Sequence, residues 1–579
     1  MNSHRSLKLS LETLEDRSLL TAPPVGFGPL PSVTIGLTQE QIDRADAVIN
    51  WNATAIRAVW TAGTSPTHAS RVYAMVGVAV YNAVNAIQPI AEHYPVPGLT
   101  GRPLQGASAE AAAIAAANSV LLSLFPAQSA LFEAQYQYTM ANVQDGLAKT
   151  RGIDWGNRVA QAVIHWRSTD DIRPTIPEYV PEPPGGVPGG YQLTPGVDYA
   201  LTPQWGSQTT WALTSGRQFL SPPPPALDSQ EYADDFNEVK AYGGVVSEVR
   251  TPDQVQLSHF WADVPGTSGT PPGHMNEIAQ RVSLMKGLTL AENARLFGLL
   301  NIGLADAAIN CWEAKYVYNL WRPVSAIRDP RANEINPLTE SDPDWTPLWA
   351  SPGFPAYTSG HSTYSGTAAA ILTSLFGPNF AFSLGSDDMP GVIRHFDSFL
   401  HAAQEAANSR LYGGIHFRFD NQAGLEAGLQ IGNYVAQNFM IGRRGSAYLQ
   451  IHPFQTDHLT LFIAGSNRAD LITLTQHSNQ YLLNLNGQRL RYDLSSVQAI
   501  QIHARDGNDR VLISKRVTQG VTVYGGNGHD LIRGGSGNDF LHGGAGNDRI
   551  FGGNGNDTLI GGPGKNLLRG GRGNNQIIR

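Results

Sequence analysis

From Gly525 to Ile578 the chain repeats every nine residues, as GGNGHDLIR, GGSGNDFLH, GGAGNDRIF, GGNGNDTLI, GGPGKNLLR and GGRGNNQII. A unit this short cannot bury its own apolar residues, so it must stack on the next one, which predicts a solenoid. The glycines permit the positive φ that a tight turn needs. Each turn also offers one hard oxygen ligand, Asp530, Asp539, Asp548 or Asp557, with Asn566 and Asn575 in that place in the last two units. Leu, Ile or Phe recurs at one fixed place, which a disordered glycine-rich tail does not require. The glycines do not read as a phosphate loop, because no strand followed by a long helix surrounds them. A partial earlier copy, DGNDRVLI, adds Asp509.

With this pattern the array resembles the RTX family of calcium-binding nonapeptide repeats. The resemblance implies a β-roll, calcium held by Asp530, Asp539, Asp548 and Asp557, and an extracellular or cell-surface location in a bacterium. A C-terminal module cannot account for 579 residues, and that length predicts further folding units upstream.

Upstream, residues 39–87 carry apolar residues at helical spacing, as in RVYAMVGVAVYNAVNAI, and an alanine-rich helical run follows at 106–122. Residues 169–226 break the pattern with PEYVPEPPGGVPGG and SPPPPALD. This stretch reads as an ordered connection laid over a helix bundle, since Trp205 and Trp211 would otherwise be exposed; it could cover a pocket or a subunit interface. Helical periodicity returns at 283–318, 363–376, 392–411 and 421–442, and short β-type runs such as HLTLFIAG and DLITLTQ follow. The expected fold class is mainly α, a helical bundle followed by a small β region and a C-terminal β-roll. The expected division is a leader or linker at 1–37, a helical catalytic domain at 38–442, a β-rich connection at 443–524 and the repeats at 525–579.

Net charge of -8 gives no reason to expect a nucleic-acid partner. Cys311 is the sole cysteine, which excludes an intrachain disulfide and multi-cysteine metal sites and reads as a small buried apolar residue. The chain lacks a run of about 18 uncharged apolar residues, so no membrane span is expected. The N-terminal SLKLSLETLEDRSLL lacks the apolar run of a secretory signal and resembles a short leader of cell-surface proteins in planctomycete-type bacteria.

Three segments carry candidate chemistry. In KYVYNLWRP, Lys315 and Arg322 stand seven residues apart, about two helical turns, so that both cations can face one way before Pro323 stops the helix. Trp312, Tyr316 and Trp321 suggest a partly buried wall, and buried cations need an anion. In YTSGHSTYSG, Ser359, Gly360 and His361 offer a hydroxyl, a glycine N–H and an imidazole at a helix N-terminus, which favours anions. The Gly-x-Ser-x-Gly elbow of a hydrolase is not met, because Tyr364 stands at its last glycine. In SRLYGGIHFRFD, Arg410 supplies a planar fork, and Asp420 lies four residues after His416, where it can fix one imidazole nitrogen as N–H and leave the other free.

In this order the segments resemble the vanadium haloperoxidases and the acid phosphatases that share their fold, over roughly residues 40–440. Thr358 departs from that pattern, which usually has proline before Ser-Gly-His. The resemblance implies a vanadate cofactor held by Lys315, Arg322, Ser359, the Gly360 amide, Arg410 and His416. His416 would be the vanadium ligand, His361 the acid–base group, Asp420 the orienting carboxylate, and Lys315 the group that polarises bound peroxide. Trp312 and Phe354 match the chloride-type halide pocket. The implied partners are hydrogen peroxide, a halide (bromide, with chloride open) and a small organic acceptor; a homodimer stays open. The alternatives are an acid phosphatase with His416 as nucleophile, because five-coordinate vanadate resembles the phosphoryl-transfer transition state, and a non-catalytic cell-surface calcium-binding protein.

Overall fold

A computed structural model describes residues 27–451 and 459–579 of the chain. Of the leader or linker expected at 1–37, residues 1–26 lie outside the described residues, whereas residues 27–37 carry the short helix Pro31–Thr34 and bury Leu30 and Val33 in the core of the bundle. The expected class is observed: a helical bundle leads into a parallel β-solenoid.

The bundle is organised around the helix Leu290–Tyr318, which starts with a capping box at Thr289 and Glu292 and is buried along most of its length. Pro66–Ile87 lies against it so closely that a Cβ at Gly77 would stand 2.8 Å from the Phe297 carbonyl. Gly360–Phe376 and Arg418–Asn438 pack backbone to backbone along a glycine ridge: Cβ atoms at Gly424, Gly428 and Gly432 would meet the carbonyls of Ser359, Thr363 and Thr367 at 2.6, 2.3 and 2.4 Å. The ridge sets the position of the Ser359 turn. Backbone cannot yield there as a side chain can, so Gly428→Ala should cost about 1–3 kcal/mol, read as a lowered midpoint in thermal unfolding.

The 283–318 run is not one helix. Thr270–Lys286 ends at Gly287, whose left-handed φ of +66° closes the turn, and the next helix begins at Leu290. Nor is 392–411 helical throughout: Met389–Phe396 is a strand paired antiparallel to Phe382–Ser386, and the helix starts only at Phe399. The apolar residues of that stretch satisfy two periods, and hairpin pairing takes the first half.

The proline-rich stretch is laid over the bundle as expected, with Trp205 and Trp211 buried. Its anchor is Asp306 on the central helix, whose carboxylate accepts the N–H groups of Trp211, Ala212 and Leu213 at 2.7 Å each. Burial pushes the Asp306 carboxyl up to about 6, with those three donors pulling it back. Leu201 and Thr202 of the same stretch line the central cavity.

Toward the C-terminus, strands pair in parallel 18 residues apart, as Thr522↔Phe540 and Leu531↔Arg549, so one solenoid turn is two nonapeptides. Ile532, Leu541, Ile550 and Leu559 fill the space between the two sheets. Both sheets continue upstream of the repeat, where Leu459–Ala464 pairs in parallel with Val497–Asp506, and Leu471–His477 with Arg510–Ile513. The segment between repeat and bundle thus contributes the first turns of the same solenoid, interrupted by the hairpin Gln480–Leu485 and Gln488–Asp493. No helix among the described residues is long and apolar enough to cross a membrane.

Candidate active site

A cavity of about 300 Å³ opens where the three motif segments meet, lined by Gly360, His361, Arg410, His416, Trp312 and Phe354 together with Asp263 and Trp349. Lys315, Arg322 and Ser359 form the fully buried ground around it.

Arg322 does not share the helix of Lys315. That helix ends at Tyr318, Asn319 turns the chain with a left-handed φ of 48°, and Arg322 is the N-cap of the short helix Pro323–Arg328. The turn, not a two-turn helical spacing, brings both cations to one place. The Arg322 guanidinium donates through Nε to the Phe354 carbonyl (2.8 Å) and through Nη1 to the Ile415 carbonyl (2.8 Å) and His416 Nε2 (3.0 Å), whereas Nη2 makes no hydrogen bond.

His416 Nδ1 lies 3.0 Å from Asp420 Oδ2, which also accepts the Phe417 N–H at 3.1 Å. An ionised carboxylate on Nδ1 fixes the proton there and leaves the Nε2 lone pair toward the pocket. Burial, with Arg322 and Lys315 next, holds the His416 imidazole well below its usual range, so the ring is neutral near pH 7. Burial also pushes the Asp420 carboxyl up, against the pull of Lys315.

Ser359 is the N-cap of Gly360–Phe376 yet makes no side-chain cap bond; its Oγ is buried without a partner. Its own N–H donates to the Asp420 carbonyl at 3.0 Å, tying the turn to the His416 segment. The first N–H groups of the helix have no intrahelical acceptor, so hydroxyl and amides converge as anion donors.

Lys315 behaves differently from the expectation of a direct ligand. Its ammonium donates to the carbonyls of Pro355, Ala356 and Thr358 at 2.9, 2.9 and 2.6 Å, which uses all three protons. Its charge is fixed beside the pocket, and a hydrogen bond to an oxyanion requires turning one proton away from a carbonyl. Burial lowers the Lys315 ammonium, and Arg322 lowers it further. Thr358 thus serves as a lysine acceptor through its carbonyl, and Cys311, buried as expected, donates to the same oxygen at 3.3 Å.

Arg410 is buried and donates to Ser409 Oγ at 2.9 Å and to the Trp261 carbonyl. Trp312 and Phe354 pack with ring centroids 5.0 Å apart, and Phe354 lies under both cations, 5.0 Å from Lys315 Nζ and 4.8 Å from Arg322 Cζ. The indole Nε1 of Trp312 is buried without a partner.

Two residues escaped the sequence reading. Asp263 Oδ2 stands 3.6 Å from His361 Nε2, and its Oδ1 accepts from His274 Nδ1 at 2.8 Å; His274 stacks on Trp261 at 4.4 Å. Burial, Arg410 and His274 keep His361 well below the usual imidazole range, whereas Asp263 holds His274 above it despite burial. The only sequence signal was an isolated acid in ADVPG and a histidine eleven residues on.

Along one solenoid edge the aspartates form a ladder: each N–H of Asp470, Asp509 and Asp530 donates to Oδ1 of the next rung, Asp509, Asp530 and Asp548, at 2.8–2.9 Å. On the other edge Asp539 donates to Asp557 in the same way. Oδ2 of Asp509, Asp530, Asp548 and Asp557 is buried without a partner. Beside Gly525, Gly534, Gly543 and Gly552 a Cβ would meet both an aspartate Oδ2 and the carbonyl of the next turn within 2.2–2.7 Å, so each forms an oxygen-lined cradle that only glycine leaves open. At Gly561 the neighbour is instead Asn566 Nδ2, which donates to the Gly562 carbonyl. The asparagine rung is satisfied internally. Among the described residues no group of three or more His, Cys, Asp or Glu side chains is placed to hold a metal ion, so backbone carbonyls would have to complete any cation site.

Comparison with known proteins agrees with both resemblances. Residues 295–442 match the family described as the VCPO second helical-bundle domain, and residues 524–577 match the RTX calcium-binding nonapeptide repeat. A vanadium chloroperoxidase from Curvularia inaequalis is 28% identical, over 38% of this chain and 46% of that protein, so the chain spans about half the length of this curated relative. The first bacterial vanadium-dependent iodoperoxidase to have a crystal structure superposes with a TM-score of 0.58 at 28% identity, covering 71% of this chain and 96% of that one. A holo-type bacterial vanadium-dependent chloroperoxidase shares the fold, with a TM-score of 0.53 at 15% identity over 72% and 96% of the two chains.

Proposed function

We propose that the protein is a vanadate-dependent haloperoxidase that oxidises a halide, bromide foremost, with hydrogen peroxide: H2O2 + X⁻ + H⁺ → HOX + H2O. The observation that carries this reading is the pair of buried donors without partners, Ser359 Oγ and Arg322 Nη2, set around His416, whose Nδ1 lies 3.0 Å from the Asp420 carboxylate and whose Nε2 lies 3.0 Å from Arg322 Nη1. Donors left unbonded in a dry site are costly unless an acceptor fills it, and a tetrahedral oxyanion offers acceptors on every side.

In this reading Ser359, the Gly360 amide, Arg322 and Arg410 hold the oxyanion, Lys315 contributes charge, and His416 Nε2 is the ligand. Bound vanadate supplies a Lewis-acidic centre that activates peroxide without changing its own oxidation state. His361, neutral at the cavity wall and close to Asp263, takes and returns the peroxide proton. Asp420 positions His416, and Phe354 and Trp312 form the apolar wall where a halide sheds water, with the Trp312 N–H as its donor. The leucine, proline and tryptophan lining of the outer cavity suits an organic acceptor better than a phosphate ester. The relatives are a chloroperoxidase and an iodoperoxidase; bromide is the halide to assay first. The repeats would bind calcium through the aspartate cradles, and with them the protein would act outside the cell.

Halogenation of a phenol dye with bromide and peroxide, with and without orthovanadate, beside hydrolysis of p-nitrophenyl phosphate, separates the readings. Vanadate-dependent halogenation supports the proposal; ester hydrolysis inhibited by vanadate, without halogenation, replaces it with the phosphatase. Trp312→Phe should raise the halide KM by about 10-fold or more with a smaller change in kcat, as expected for loss of one hydrogen bond to an anion. An unchanged KM would remove Trp312 from the halide site.

A further inference from the structure

A second cleft among the described residues is larger than the catalytic cavity. It measures about 700 Å³ and lies where the bundle meets the first solenoid turn, lined by Glu92, His93, Arg102, Trp155, Arg443 and Arg468. Arg102, Arg443 and Arg468 are exposed, and neither Arg102 nor Arg468 makes a hydrogen bond or ion pair among the described residues. The Arg443 guanidinium has one long contact, 3.5 Å to the Pro89 carbonyl. The single carboxylate in the lining is already engaged: Glu92 faces Arg505 at 3.8 Å and accepts the Asn467 N–H at 3.3 Å. Trp155 is buried, and its indole Nε1 has no acceptor.

Three uncompensated guanidinium groups in one concave site, on a chain whose net charge is -8, focus a local positive potential that favours anions. Guanidinium forks match carboxylate and sulfate groups in two-point contacts. The cleft is open and too large for one inorganic ion, which points to several anionic groups on one backbone. Among its lining residues the only exposed ring is the single imidazole of His93, short of the successive aromatic platforms on which single-stranded nucleic acids stack their bases. We propose that this cleft binds an acidic polysaccharide, its sulfate or carboxylate groups on Arg102, Arg443 and Arg468.

The test is calorimetric titration of the full-length, calcium-loaded protein with dextran sulfate and with polygalacturonate, which separates the two anion types, and with neutral dextran and oligo-dT for comparison. Binding to one or both acidic polymers is expected, weakened by salt and lowered at least tenfold in R102Q/R468Q, with neutral dextran and oligo-dT inert. Both positions are exposed and outside the catalytic pocket, so the variant should keep wild-type unfolding temperature and turnover. No binding to either acidic polymer, equal affinity in R102Q/R468Q, equal binding of oligo-dT, or loss of binding on chelation but not in R102Q/R468Q would each overturn the proposal.

Discussion

Replacing His416 by alanine is expected to abolish vanadate-dependent halide oxidation, with a loss well beyond 100-fold, while the protein stays folded. Outer-shell partners of a metal ligand are worth about 10–100-fold, which sets the expectation for Asp420→Asn; loss of the ligand itself must exceed it. Among the described residues the side chain bonds only to Asp420 and Arg322, so its removal costs about 1–3 kcal/mol, a shift of a few degrees in unfolding temperature. Steady-state halogenation beside thermal unfolding checks both halves. Retained turnover would remove His416 from the chemistry, and an unfolded variant would shift the test to Asp420→Asn, where the smaller loss is read.

The second large effect concerns the solenoid. Burial raises the carboxyls of Asp509 to about 8 and of Asp530 and Asp539 to about 6. A carboxyl whose folded-state pKa exceeds its unfolded value of about 4 stabilises the fold when protonated, and that stability is lost as pH rises through the folded value. Without calcium the solenoid should therefore lose stability from about pH 4 to about pH 8. Calcium would offset the buried charge and restore it, through preferential binding to the folded state. The calcium-induced rise in unfolding temperature should be small at pH 4–5 and largest at pH 8, as followed by the β signal in circular dichroism with and without chelator. A rise independent of pH, or none, would contradict the aspartate cradles as the calcium sites. Asn566 and Asn575 carry no such charge, and the last turns should respond least.

The parts legible in the sequence were those whose residues lie close together in it. The nonapeptide period announced the solenoid because each unit repeats the same glycine and aspartate places. Ser359, Gly360 and His361, and likewise His416 and Asp420, are local constellations, and the fold brings them into one cavity. The upstream turns of the solenoid were not legible, because Arg505 takes a positive φ of 81° where the repeat has glycine and a hairpin separates Asp470 from Asp509. Asp263 and His274 were hidden for another reason: their relation to His361 exists only through tertiary packing beside the Thr270–Lys286 helix. Lys315 and Arg322 meet as their spacing suggests, but not on one helix, since Asn319 breaks the helix between them. Lys315 shows a further limit of spacing, which indicates where a cation lies but not that three carbonyls already hold its protons.

The most direct measurement is a crystal structure of the protein grown with orthovanadate. Vanadium density bonded to His416 Nε2 is expected, with its oxygens within hydrogen-bond distance of Ser359 Oγ, the Gly360 N–H and Arg322 Nη2, and the Arg322–His416 contact exchanged for contacts to the oxyanion. Density elsewhere, or an oxyanion held without a bond to His416, would contradict the proposed site.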